Sequence, residues 1–435
     1  MFLSVPRRLL PIVACSALLC FILLLRTFGS KEPWRSLPLE KIGLGEVKGG
    51  GILIITPGAG DGYEVEEEGE GGTPSVEDEA PVKVGVGKTP TPFPPGQAKP
   101  VGSTYTKMLV IPRTKKENVK WIEKHFPPGG PVNSSIYIAD DPSAPLHPPK
   151  NKGHEVMVYL TYIIDNYDDL ADVNIFMHSH QIAWHNDELL GSNAATMIER
   201  LSAERVQREG FMNLRCHWNP GCPNWMHPGT VEVDINKQEE VELASSWSQL
   251  FPMDAIPTVL AQPCCAQFAV SRDRIRALPR SRYVFYRDWL LQTPLSDYIS
   301  GRIWEYVWHY LFTGRNVLCP KEHVCYCDGF GVCFGGEAEY EGYYEKVHEM
   351  EHLQGRLKEW QQSAHKIEEM ERIGKIDEAA ALKVPKFGED KELEDKIREL
   401  EDWIKKTKEE AFKRGEVAMN RAKEVGRPWK DGDGF

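Results

Sequence analysis

Apolar residues recur along this chain with two periods, and each period marks a kind of element. Val156, Leu160, Ile163, Ile164 and Tyr167 return at helical spacing, which predicts a helix over 155–166. Residues 172–178 alternate instead, with Val173, Ile175 and Met177 on one face, and read as a strand. Shorter strands are predicted at 108–111 and 135–138, a strand-like run at 211–218, and two short strands within 258–270, broken by Pro263. Ser192 caps a helix that carries Ile198, Leu201 and Val206 and ends at Gly210. Ser271 and Ser281 open short helices, and residues 301–312 form another, stopped by Gly314. Helices interleaved with strands predict an α/β fold, a mixed sheet flanked by helices.

The two ends follow other patterns. Residues 9–25 are apolar and uncharged, with Arg7 and Arg8 before them and Arg26 after. This run just reaches membrane-spanning length, and the leading arginines place the N-terminus in the cytoplasm. A cleaved signal peptide is the rival reading, but no clean small-residue cleavage site follows. Residues 45–100 hold 13 Gly, 8 Pro and ten acidic side chains against four basic ones, too little apolar surface to offset ordering. Beyond residue 337, Val347, Met350, Leu357, Trp360, Ala364 and Ile367 approximate a heptad seam. Leu393, Ile397, Leu400 and Ile404 repeat it after a break at Pro385 and Gly388. The expected layout is a cytoplasmic tip and signal-anchor helix (1–30), a flexible stalk (31–104), an α/β domain (105–335) and a charged helical tail (336–435), either a hairpin or a coiled coil that takes a partner.

Charge and cysteines narrow the setting. A net charge of −12 argues against a general nucleic-acid binder. Eight of the 10 cysteines lie between 216 and 333. Cys319, Cys325, Cys327 and Cys333 form a compact cluster and Cys216 and Cys222 a short pair, without the paired spacing of a zinc ribbon, so disulfides are expected. Cys264 and Cys265 are adjacent, and each is expected to pair elsewhere or stay buried. Asn133 begins a glycosylation sequon. Together these features predict a single-pass type II membrane glycoprotein of the secretory pathway, in the Golgi or endoplasmic reticulum.

Several residues carry candidate chemistry. His178 and His180 sit two apart at the end of a predicted strand, with His185, Asp187 and Glu188 following; His178, His180 and Asp187 are the candidate metal ligands. Glu305 and His309, four apart on a predicted helix, form a candidate base and its orienter, or an interior hydrogen-bonded pair among aromatic residues. Arg272 and Arg274, at a helix start that Ser271 also caps, and Lys152, in a turn, are candidate phosphate contacts. Asp140 and Asp141 read as a turn before Pro142 or as a second acidic pair. Trp184, Trp218, Trp225 and Trp247 fall near loops, where indole faces suit sugars.

Longer blocks carry a resemblance. The stretch NKGHEVMVYLTYIIDNYDDLADVNIFMHSHQIAWHN at 151–186 is similar to the signature of a fungal family known as domain of unknown function 3431. NLRCHWNPGCP at 213–223, CCAQFAVSRDRIRALP at 264–279, SGRIWEYVWHYLF at 300–312 and CYCDGFGVC at 325–333 fit as well, so the resemblance spans roughly 105–335; His154 stands where arginine is expected. The motif order also distantly resembles glycosyltransferases of the nucleotide-diphospho-sugar type. That likeness implies a nucleotide-sugar donor, a glycan or protein acceptor, and a divalent metal, Mn or Mg, although His178-Ser179-His180 stands where an Asp-x-Asp pair is usual. A metal-dependent hydrolase and a non-enzymatic lumenal scaffold are the alternatives.

Overall fold

A computed structural model describes residues 93–100, 102–430 and 434–435. Five strands form one sheet: β1 (Lys107–Arg113), β2 (Val132–Ile138), β3 (Val173–Phe176), β4 (Phe211–Asn213) and β5 (Phe268–Ser271). The helices before the tail are α1 (Lys120–His125), α2 (Val156–Asp165), α3 (Ala194–Arg200), α4 (Ala203–Glu209), α5 (Glu240–Leu250), α6 (Arg272–Arg276), α7 (Arg280–Gln292), α8 (Asp297–Glu305), α9 (Trp308–Thr313) and α10 (Glu322–Phe330). The tail holds α11 (Glu337–Arg372), α12 (Ile376–Ala380), α13 (Glu389–Gly415) and α14 (Ala418–Glu424). Apart from Asp234–Lys237, the described residues belong to one compact unit.

The strand order is β2-β1-β3-β5-β4. β1 pairs in parallel with β2 and β3, whereas β5 runs antiparallel to both of its neighbours. The mixed α/β sheet expected from the sequence is therefore present. Each face of the sheet is covered. On one side α2, with every residue but Asp165 buried, packs with α7, α8 and α9 around Phe176, Phe268 and Trp308. A helix apolar all round is a core helix, which is why its apolar run continues through the polar side of the period. On the other side α1, α3, α4 and α10 meet Leu109, Ile111, Val173, Ile175 and Met177. The alternation along 173–177 thus feeds two cores at once.

Two predicted helices are broken. The one expected from Ser192 to Gly210 splits at Leu201: Asn193 caps α3, and the Ser202 hydroxyl caps α4 by accepting from Arg205 N at 3.1 Å. The one expected over 301–312 splits at Tyr306 and Val307 into α8 and α9. Of the run 211–218 only β4 is a strand, and in 258–270 Leu260 and Ala261 make isolated bridges before β5.

The tail is a hairpin whose base belongs to the domain. Pairings of Tyr343 with Trp403, Arg356 with Glu389 and Trp360 with Lys386 show that α11 and α13 run antiparallel. Leu353, Leu393 and Ile397 close its middle. At the base, Tyr340, Tyr343 and Ala411 join the core behind β1 and β3. The expected membrane run at 9–25 and residues 31–92 of the expected stalk lie outside the described residues, among which no helix is long and apolar enough to cross a membrane. Residues 93–100 lie against the domain: Arg274 reaches the Phe93 ring and the Pro94 carbonyl, and Lys99 Nζ lies 2.7 Å from Asp172.

Four disulfides are present among the described residues. Cys216–Cys325 and Cys222–Cys319 tie the segment after β4 to α10 and to the residues just before it, and Cys327–Cys333 joins α10 to the residues just after it. The fourth corrects the sequence expectation, because Cys264 and Cys265 are bonded to each other. Cys265 and Ala266 take positive φ there, +91° and +48°.

Candidate functional site

The strand order reverses between β1 and β3, since the chain passes from β1 to β2 on one side and then crosses to β3 on the other. In an open α/β sheet such a reversal leaves a crevice beyond the carboxyl ends of the strands. Glu117, Ser179 and His180 meet there. The Glu117 carboxylate accepts from Thr114 N and Oγ1 at 2.5 and 2.9 Å and from Ser179 Oγ at 2.5 Å, with His180 Nε2 3.6 Å away. Burial would raise its pKa, but the Ser179 and Thr114 hydrogen bonds outweigh burial and hold it below the usual carboxylate value. Beside Glu117, an open groove of about 690 Å³ is lined by Arg113, Lys115, Lys116, Lys120 and Asn133. Its four cations outnumber Glu117 and Glu123 on the same wall, which favours anions.

On the other side of β3 a second group of polar side chains comes together. His178 and His185 bring their rings to 4.5 Å, and neither Nε2 has a hydrogen-bond partner although both atoms are buried. Burial, reinforced by their neighbours, pushes His178 down to about 3 and His185 to about 4, so both are neutral imidazoles. Buried Gln267, just before β5, sets this pair: its side chain accepts from His178 N at 3.1 Å and donates to Asn186 Oδ1 at 3.1 Å. Glu305, at the end of α8, accepts from Cys265 N at 2.6 Å, and the His178 ring bonds to the Cys265 backbone. The Cys264–Cys265 ring thus holds both groups. Glu155, at the start of α2, is raised to about 8 by burial and by the nearby charges of Glu305 and Asp297. Burial raises Glu305 as well. Two half-buried carboxyls and two neutral imidazoles therefore share one desolvated place, the setting in which proton transfer near neutrality is tuned.

The structure redistributes the sequence candidates. Glu305 and His178 come together at the Cys265 backbone. His309 does not join Glu305, because the break between α8 and α9 destroys the four-residue spacing; it is fully buried and bonds through Nε2 to Asn316 O at 2.8 Å. His180 is exposed, on the Glu117 side. Asp187 is buried elsewhere, accepting from Tyr326 Oη and, at 2.8 Å, from Cys216 N. His178, His180 and Asp187 are therefore not assembled as a set, and Mn or Mg would find few free carboxylate oxygens, since those of Asp187 and Glu117 are already engaged. Among the described residues, the groups with three ligand atoms close together are Cys264–Cys265–Glu305 and Cys327–Cys333–Glu424, whose sulfurs are in disulfides.

Arg272 and Arg274 lie at the opposite pole. β5 is antiparallel to β3, so the residues after β5 stand beside the start of β3: Arg272 pairs with Asp172 at 2.9 Å and Arg274 with Phe312 O at 2.6 Å. Lys152 donates to Thr293 O and ties the turn before α2 to the end of α7. Asp141 accepts from Ser143 and pairs with Lys115 at 3.2 Å, as a turn residue does. Asn133 is exposed on edge strand β2. Sequence reasoning passed over Glu117 and Glu155; the signal for Glu155 was a carboxylate opening an otherwise apolar helix.

The fold and this polar group together define an α/β protein with buried acid and imidazole side chains at the carboxyl edge of its sheet. The chain belongs to the family described as Protein of unknown function (DUF3431), whose model matches residues 109–328. No curated protein and no solved structure matches it.

Glu155 gives the site a pH signature. Its folded pKa of about 8 exceeds the ordinary 4.5, so between those values the native state holds a proton that the unfolded chain lacks. Stability should fall as pH rises through that window. His178 and His185 act in the opposite sense and only below their ordinary 6.5, which leaves pH 6.5 to 8 as the clean interval. Urea midpoints over that interval should decline in the native chain and decline less steeply in Glu155→Gln, where Glu305 keeps its own raised pKa.

Proposed function

We propose that this chain transfers a glycosyl group from a nucleoside-diphosphate sugar to a hydroxyl acceptor at the carboxyl edge of its sheet. The observation that carries the reading is the carboxyl pair Glu155 and Glu305 beside His178 and His185, next to the reversal of strand order. In the transfer, the acceptor oxygen bonds to the anomeric carbon while the bond from that carbon to the diphosphate oxygen breaks. Glu305, with its affinity for a proton raised, takes the acceptor proton. The nucleoside diphosphate leaves with the bonding pair, and Arg113, Lys115 and Lys116 offset its charge. No step is assigned to a metal. The disulfides favour an oxidising compartment, and with the apolar run at 9–25 they support a membrane-anchored place in the secretory pathway.

The test is release of nucleoside diphosphate by the full chain from a panel of nucleotide sugars. One donor should be turned over, and replacing Lys115 and Lys116 by alanine should raise its KM about tenfold, roughly 1.4 kcal/mol of lost binding. Turnover of no donor, with or without Mn²⁺, would remove the transferase reading.

A further inference from the structure

Near the carboxyl and imidazole group stand exposed aromatic rings that the chemistry above does not use. Trp184 and Tyr298 are 56% and 44% exposed. Trp184 meets His185 edge to face at 5.7 Å, and His185 continues to His178. Tyr298 meets His154 edge to face at 6.3 Å, and His154 lies close enough to act on His178 electrostatically. A row of rings therefore runs from the loop after β3 to the first turn of α8.

The row is built rather than incidental. The loop bearing Trp184 is cross-braced by Ala183 N to Ser192 O at 3.2 Å and by Asn186 Nδ2 to Gln181 O and Ser192 O, each at 3.1 Å. Arg215 fixes the Trp184 carbonyl at 3.1 Å and approaches its ring. Arg302 donates to Tyr298 Oη at 2.8 Å while pairing with buried Glu239. His154 presses on α8 where there is no side chain: a Cβ on Gly301 would lie 2.5 Å from its ring. Exposed, fixed ring faces suit the C–H faces of sugar rings, and the two buried unpartnered Nε2 atoms suit hydroxyl donors.

We propose that the row from Trp184 to Tyr298 is a saccharide-binding subsite, and that the acceptor of the transfer is a glycan rather than a protein side chain. The second half of this statement rests on the transferase reading; saccharide binding can be measured without any donor.

The experiment titrates the full chain with mannose, N-acetylglucosamine and glucose oligomers and follows binding by calorimetry and tryptophan fluorescence. One class should bind. Trp184→Ala and Tyr298→Ala should each weaken it at least tenfold at an unchanged melting temperature, and Trp403→Ala, on the hairpin, should leave it unaltered. Absence of binding to all three classes, or binding indifferent to Trp184→Ala, overturns the subsite. Saccharide binding without donor turnover retains the subsite and sinks the transferase. Turnover onto a protein side chain with no saccharide bound does the reverse.

Discussion

A chain that stops at residue 335 is expected not to fold. It keeps the whole stretch matched by the family model, 109–328, yet loses part of the core that stretch needs. Tyr340 and Tyr343 are 6% and 4% exposed, and Ala411 is fully buried, in the same cluster as Leu109, Val173 and Ile175 of the sheet. Ile404 and Phe412 pack around them. Burying a large apolar side chain contributes about 1.5–3 kcal/mol, so these groups together approach the 5–15 kcal/mol that holds an ordinary domain. Polar groups would be stranded too: Tyr340 Oη donates to Glu322 at 2.6 Å, and Cys333 N donates to Ala411 O at 3.0 Å. Gly415 sits so close to Gly331 that a Cβ would meet its carbonyl oxygen at 2.0 Å, a docking of backbone on backbone. Soluble yield and a melting curve for residues 93–335 against 93–435 decide the matter. A monomeric short form with a cooperative melt within a few degrees of the long one would show that the hairpin is an accessory.

Glu305→Gln is the change expected to cost most activity. General-base catalysis is worth roughly 10²–10⁴ in rate, and the variant should lose that much from kcat while the donor KM stays within twofold. Stability should hold, because the glutamine oxygen can still accept from Cys265 N and a buried charge is removed. A kcat within threefold of the parent would move the base to another group, with Glu155 next to be tested.

The class of fold was legible because periodicity is local. The α2 pattern and the alternation through β3 announce themselves within a dozen residues. What was not legible depends on partners far along the chain or on direction. Asp187 looked like a ligand beside three histidines until Tyr326, far along in α10, claimed it. Arg272 and Arg274 looked like phosphate contacts because alternation does not say which way β5 runs. Glu305 and His309 share a face only if the helix is continuous, and the break at Tyr306 and Val307 carries no glycine or proline to announce it. The base of the hairpin was hidden by its surroundings, since the few apolar residues that dock it stand among many charges. Cys264 and Cys265 were read on the habit of adjacent cysteines to pair apart, and the backbone turned to join them.

Asp172 gathers one pole of the molecule, taking Lys99 from the incoming chain and Arg272 from beyond β5, while nearby Arg208 stacks on the terminal Phe435. The described chain therefore enters and leaves at the back of the sheet, at the pole away from Glu155, Glu305 and His178. A label fixed at residue 93, whose ring lies against Arg274, would leave Glu305 and Trp184 uncovered.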